Sequence, residues 1–194
     1  MRGRVALAAA NLGAVSTPRR EQLLGVAAGL MAERGYHGVS INDLGAAAGV
    51  SGPALYRHFP SKQAVLGEML VGISRRLLEG GRARTAEGLD ALLAFHVDFA
   101  LGEPELIRVQ DRDLASCAPE DAHQVRRLQR AYAEVWVDRL RAELPALAED
   151  EARARVHAVF GLLNSTPYSG RGLDREAMAG LLRALGSAAL RAPA

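Results

Sequence analysis

Cysteine is nearly absent from this chain: Cys117 stands alone among 194 residues, so no internal disulfide can form and nothing calls for an oxidising compartment. Aromatic side chains are scarce at 5%, and stretches in which Val, Ile, Thr and Tyr alternate with polar residues are missing. Both scarcities, with the abundance of Ala, Leu and Arg, favour helices over sheets. No segment holds the roughly 18 consecutive apolar residues of a membrane span, so the expectation is a cytoplasmic protein without membrane contact. Lysine is reduced to one residue, Lys62; every other basic side chain is arginine.

With 49% hydrophobic and 24% charged residues, the chain can bury a substantial core. Its net charge of +2 is unevenly placed. Residues 1–63 carry seven basic side chains against three acidic ones, while the remainder is slightly acidic. The basic end is the candidate for an anionic partner such as nucleic acid, although a small excess also suits an ordinary solvated face. Residues 1–16, MRGRVALAAANLGAVS, resemble the front of a secretory signal, but Asn11 interrupts the apolar run. A flexible arm is expected there.

From Thr17 the punctuation is that of helices. Thr17 can cap and Pro18 can open a first helix with an inward stripe of Leu23, Leu24, Ala27, Leu30 and Met31, stopped by Gly35. Ser40-Ile41-Asn42-Asp43 has the spacing of a capping box for a second helix. After the turn Gly49-Val50-Ser51, a third helix is expected from Gly52 to about Phe59, capped by Ser51 and ended by Pro60. Two turns cannot hold themselves together in water. Leu55 and Phe59, four apart, can anchor this short helix to its neighbours and leave its other face free for a DNA major groove.

The reach of each side chain suggests its role. Gly52, Pro53 and Ala54 offer apolar contact to thymine methyls or close backbone approach. Arg57 suits a bidentate guanine contact or a phosphate. Tyr56, His58 and Lys62 suit the DNA backbone, and Ser40 at a helix start can donate to phosphate. Each has a plainer reading, with Tyr56 simply packed and His58 capping local structure.

The run GYHGVSINDLGAAAGVSGPALYRHFPSKQAVL strongly resembles the N-terminal domain of the TetR family of bacterial transcriptional regulators, with LYRHFPSK its most family-like part. The resemblance covers about residues 17–75. It implies an all-α protein: an N-terminal three-helix helix-turn-helix domain over residues 17–63, then a helical ligand-binding and dimerisation domain over 64–194 that begins with a connecting helix. It also implies DNA contacts at Ser40, Ser51 to Ala54, Tyr56, Arg57, His58 and Lys62. Gly45 departs from the alanine usual inside the second helix, at a cost of about 1 kcal/mol.

Further along, the connecting helix is expected to run from Ser61 to a break at Gly80-Gly81. Helices are then expected from about residue 88 to Gly102, through Leu106 to Leu114, from Pro119 to Leu144, from Asp150 to Asn164, and after Asp174; NSTPYSGRG reads as a loop. The resemblance places a small-molecule pocket among the middle helices. Candidate lining residues are Phe95, His96, Phe99, Arg108, Asp111, Tyr132, Trp136 and Asn164, although aromatics at helical spacing are more often plain core. It pairs the last two helices with a second subunit, through Val156, Val159, Phe160 and Leu163 together with Met178, Leu181, Leu182 and Leu185. A homodimer reads two half-sites of a pseudo-palindromic double-stranded operator. The basic run Arg126, Arg127, Arg130 suggests an anionic effector such as an acyl-coenzyme A thioester, against the plainer reading of a solvated helix face.

An enzyme is a weak alternative. Asp111 and Asp113 stand two apart and do not share a helix face. Cys117 and His123 lack a third partner, and AAAGVSG has no Walker lysine. No catalytic residue, metal ligand or cofactor is expected. A helical protein-interaction module is the other alternative. The reading reached is a ligand-responsive DNA-binding regulator, a repressor released from its operator by a small molecule through a pendulum-like movement of the Ser61–Leu78 helix.

Overall fold

A computed structural model describes residues 18–169 and 172–193; the expected arm at 1–16 and the Thr17 cap lie outside them. The described residues form ten α-helices and no strand: α1 Pro18–Arg34, α2 Ile41–Ala47, α3 Gly52–Tyr56, α4 Lys62–Arg84, α5 Leu89–Gly102, α6 Pro104–Asp113, α7 Pro119–Glu143, α8 Glu149–Leu163, α9 Thr166–Ser169 and α10 Arg175–Leu190.

Local signals fix most ends. Gly35, at φ +79°, sends its N–H to the Met31 carbonyl at 2.8 Å and stops α1 in the left-handed conformation that glycine adopts without penalty. Ser40 Oγ accepts the Asp43 N–H at 3.1 Å while the Asp43 carboxylate accepts the Ser40 N–H at 2.8 Å, a complete capping box. The Ser40 hydroxyl and N–H hold the Asp43 carboxyl below its ordinary value. Ser51, Ser61 and Asp174 cap α3, α4 and α10 in the same way.

Three expectations about elements change. Helix α3 ends at Tyr56, so Arg57, His58 and Phe59 lie in the turn that follows. The NSTPYSGRG stretch contains one helical turn, α9. Helix α4 does not break at Gly80-Gly81 but continues to Arg84, a span of about 35 Å at 1.5 Å per residue. Those glycines admit neighbours: a Cβ on Gly80 would collide with the Phe95 ring, and one on Gly81 would stand 2.5 Å from Tyr132 Cε2. Tertiary contact thus explains residues that sequence punctuation reads as a stop.

Two apolar cores result. One gathers α1, α2, α3 and the first half of α4 around Met31, Leu44, Leu55, Phe59 and Leu66, and also takes in Val109, Cys117 and Val125. The head core therefore reaches past residue 63 into α6 and α7. The other core joins the end of α4 to α5, α7, α8 and α10 around Leu92, Trp136, Val159 and Leu182, and half-buried Leu128 of α7 touches both.

Candidate nucleic-acid interface and effector cluster

Helix α3 is pinned on one side and bare on the other. Leu55 and Phe59 are 2% and 0% exposed. Ser51, Pro53, Tyr56 and Arg57 are exposed, Ala54 and His58 half-buried. Among the described residues neither the Tyr56 hydroxyl nor the Arg57 guanidinium has a hydrogen-bond or ion-pair partner, so both are available to an external one. Ser40 is likewise exposed at the start of α2.

Arg19, Arg20 and Lys62 of the head, with Arg112 of α6, are engaged internally, and most of their targets follow a pattern. A helix leaves its last carbonyls without partners, and a cation nearby satisfies both the hydrogen bond and the dipole. Arg19 donates to the Ala48 carbonyl at the end of α2, at 2.9 Å. Arg20 donates to the His58 carbonyl after α3, forms a bidentate pair with Glu68 and lies 4.3 Å from the Phe59 ring centroid. Arg112 of α6 donates to the Met31 and Ala32 carbonyls at the end of α1. Lys62, expected on phosphate, donates to the Tyr36 and Val39 carbonyls, each at 2.7 Å. Three of the seven basic residues before position 64 thus donate to backbone carbonyls within the head. Sequence reasoning missed Arg19, Arg20 and Arg112, because their targets are backbone carbonyls up to 81 positions away.

Five aromatic rings meet deep in the helical body. The rings of His96, Tyr132 and Phe160 lie nearly parallel, at centroid separations of 5.7 Å, 5.0 Å and 5.4 Å, and Trp136 meets all three edge-on. Phe99 stands edge-on to His96 at 5.8 Å. His96 Nδ1 is 3.2 Å from the Tyr132 hydroxyl and Nε2 is 3.1 Å from Asn164 Oδ1. With the Asn164 oxygen accepting from Nε2, Nδ1 accepts from the tyrosine. Burial pushes the His96 imidazole down to about 4, so it is neutral, and pushes the Tyr132 hydroxyl well above its ordinary value. The Trp136 N–H is buried and has no hydrogen-bond partner among the described residues.

Of the candidate effector residues, His96, Phe99, Tyr132, Trp136 and Asn164 come together. Phe95 does not join them; it packs on α4 under the Arg84 guanidinium, 4.4 Å from its ring centroid. Arg108 is drawn to α9, where it donates to the Pro167 carbonyl at 2.9 Å, and Asp111 is exposed on α6. Phe160, expected at the dimer face, belongs to the aromatic cluster instead.

The remaining dimer candidates divide by exposure. Val156, Val159, Leu163, Met178 and Leu182 are buried in the chain's own core. Leu181 and Leu185 are exposed, 43% and 46%, and they share the outer face of α8 and α10 with small residues the sequence did not single out: Ala154, Ala158, Gly161, Gly180, Ala184 and Ala188. Burial of alternate helical positions by α5 and α7 determines which stripe remains outside.

The residues weighed for enzyme chemistry scatter. Asp113 is buried against Arg112, whereas Asp111 is exposed. Cys117 is buried, which pushes its thiol up to about 11. Such a thiol is a poor nucleophile at neutral pH.

Residues 23–69, which span the bare α3 and its supports, match the family model described as bacterial regulatory proteins, tetR family. The head of this chain is thus similar to that family's DNA-binding part. The HTH-type transcriptional repressor KstR2 of Rhodococcus jostii is 41% identical over 73 residues, which is 38% of this chain and 36% of that repressor. The likeness to KstR2 thus spans about a third of the repressor's own length. The TetR-family regulator PfmR of Thermus thermophilus superposes with a TM-score of 0.75 at 26% identity, over 87% of this chain and 97% of that one. The fold is shared with AibR, solved in complex with isovaleryl coenzyme A and operator DNA, at a TM-score of 0.71 and 17% identity, over 86% of this chain and 97% of that one. KstR2 is a transcriptional repressor and PfmR a transcriptional regulator.

Proposed function

We propose that this chain is a cytoplasmic transcriptional repressor that binds a pseudo-palindromic operator as a homodimer and is released by a small-molecule effector. The observation that carries the reading is α3, anchored by Leu55 and Phe59 while Tyr56 and Arg57 face outward without partners among the described residues. Ser40, Ser51, Gly52, Pro53, Ala54 and His58 complete the DNA-facing set. One such helix reads only a few base pairs, so two related by a dimer axis are needed for a useful site. The apolar outer stripe of α8 and α10 supports pairing there, where small residues let helices approach closely.

The effector in this reading is a coenzyme A thioester. Its acyl part suits the His96, Tyr132, Phe160 and Trp136 cluster, and its phosphates suit Arg126, Arg127 and Arg130, exposed on α7 and without ion-pair partners among the described residues. AibR, which shares the fold, was crystallised with such a thioester. An effector shifts the equilibrium only by its difference in affinity between the two head arrangements. Movement of α4, whose glycines rest on Phe95 and Tyr132, relates the cluster to the head.

Fluorescence anisotropy on an operator duplex tests the reading. Affinity should fall steeply with salt as counterions are released, and Arg57→Ala should weaken it. Acyl-coenzyme A thioesters of increasing chain length should lower operator affinity and raise the melting temperature. A partner protein bound through the same head would show little salt dependence, which distinguishes the interaction-module alternative.

A further inference from the structure

The ammonium of half-buried Lys62 is held by its own chain. It is the first residue of α4, yet its Nζ reaches back to the α1–α2 connection and donates to the Tyr36 and Val39 carbonyls, each at 2.7 Å. The Tyr36 ring covers a further side, with its centroid 4.1 Å from Nζ. A lysine has three N–H donors. Two are directed at carbonyls and a π face closes on the cation, which leaves little of it for a phosphate.

The carbonyls it binds are those that set where α2 begins. Between them the chain has only a long Val39 N–H to Tyr36 O contact of 3.5 Å, so the connection has little hydrogen bonding of its own. Val39 is 1% exposed and enters the head core, and the next residue, Ser40, is the cap of α2 and a candidate DNA contact. The same connection is held from the other side, where the buried Asp113 carboxylate accepts the Tyr36 N–H at 3.2 Å.

The geometry points to Lys62 as a positioning residue: it clamps the Tyr36–Val39 connection so that Ser40 and α2 present the correct angle to DNA, and it is not itself a phosphate contact. This rests on the DNA-binding reading and departs from the role that the resemblance implies for Lys62. A charge-assisted donor to two otherwise poorly satisfied carbonyls is among the stronger hydrogen-bonding arrangements. A Lys62–phosphate contact would have to use the remaining N–H in competition with the Tyr36 ring, or give up one of these carbonyls.

The salt dependence of binding separates the two roles. Each lost phosphate contact lowers the slope of log affinity against log salt by about 0.9, hence about 1.8 for a two-headed dimer. A positioning residue lowers affinity without that change. The variants are Lys62→Met, which keeps the stem and removes the charge, Tyr36→Leu, which removes the ring but keeps the carbonyl, and the double variant. The probe is a duplex enriched by the wild-type protein from random-sequence DNA. Backbone amide exchange of residues 36–43 is followed in the free proteins.

Lys62→Met should bind roughly tenfold or more weakly, consistent with losing charge-assisted hydrogen bonds. Its salt slope should equal that of the wild type, and the amides of residues 39–43 should exchange faster. Tyr36→Leu should act in the same direction, and the double variant should be no weaker than Lys62→Met, the non-additivity of residues acting as one unit. A slope reduced by about 1.8 with unaltered exchange would overturn the proposal in favour of a phosphate contact. If Lys62→Met fails to fold, Tyr36→Leu decides, because loss of a ring at the clamp leaves a true Lys62 phosphate contact unaffected. If the wild type enriches no DNA, the DNA-binding reading falls; faster exchange then still supports the clamp, and unchanged exchange removes it.

Discussion

Two glycine-to-alanine substitutions should shift stability in opposite directions. Gly29 lies exposed within α1 with nothing within 4 Å of a Cβ placed there, so alanine gains helix propensity without a steric cost. The gain is about 0.5–1 kcal/mol. Gly81 lies buried within α4, where the same Cβ would stand 2.5 Å from Tyr132 Cε2 and 3.0 Å from Cδ2. The tyrosine cannot simply withdraw: its hydroxyl is tied to His96 Nδ1 at 3.2 Å, and its ring lies parallel to His96 and Phe160. Overpacking of this kind costs about 1–3 kcal/mol, against a propensity gain of about 1 kcal/mol. Gly81→Ala should therefore be net destabilising, by up to about 2 kcal/mol. For a chain of this size each kcal/mol shifts the melting temperature by about 2–4 °C. Thermal unfolding followed by circular dichroism, at one fixed protein concentration, should place Gly29→Ala above the wild type and Gly81→Ala several degrees below. A Gly81→Ala protein as stable as the wild type would refute the close approach of α4 and α7 at Tyr132.

Three further outcomes follow from particular contacts. Replacing Leu181 and Leu185 by glutamate puts charges into the outer stripe of α10 and should convert a dimer to a monomer in light scattering, without loss of helix content. His96 has its imidazole lowered from 6.5 to about 4 by burial. The unfolded chain therefore binds more protons between those values, and stability should decline as pH falls from 6.5 toward 4, by at most about 1.4 kcal/mol per pH unit from this group. His96→Phe should flatten that part of the profile relative to the wild type in denaturant titrations across pH. Arg112→Met removes the donors to the Met31 and Ala32 carbonyls and leaves the buried Asp113 without its counter-charge, at a cost of about 1–3 kcal/mol. Adding Asp113→Asn should cost less than the sum of the two single changes, which a double-mutant cycle measures.

The helices themselves were legible because their signals are local. Gly35, the Ser40–Asp43 box, the caps at Ser51 and Asp174 and the Leu55–Phe59 anchor act within four residues, so reading along the chain finds them. The outward face of α3 was legible for the same reason. Tertiary structure alone decided the uses of charge and of glycine. Seven basic residues before position 64 look like a surface for DNA, yet Arg19 and Arg20 reach carbonyls at or just past the ends of other helices, and Lys62 reaches two carbonyls of the α1–α2 connection. Gly80 and Gly81 look like a stop until Phe95 and Tyr132 are packed against them. Phe160 looks like a dimer contact until α8 is rotated so that its ring joins His96 and Tyr132. Periodicity reveals that a helix has an apolar side; only packing against the neighbouring helices decides which part of that side is core and which is left for a partner.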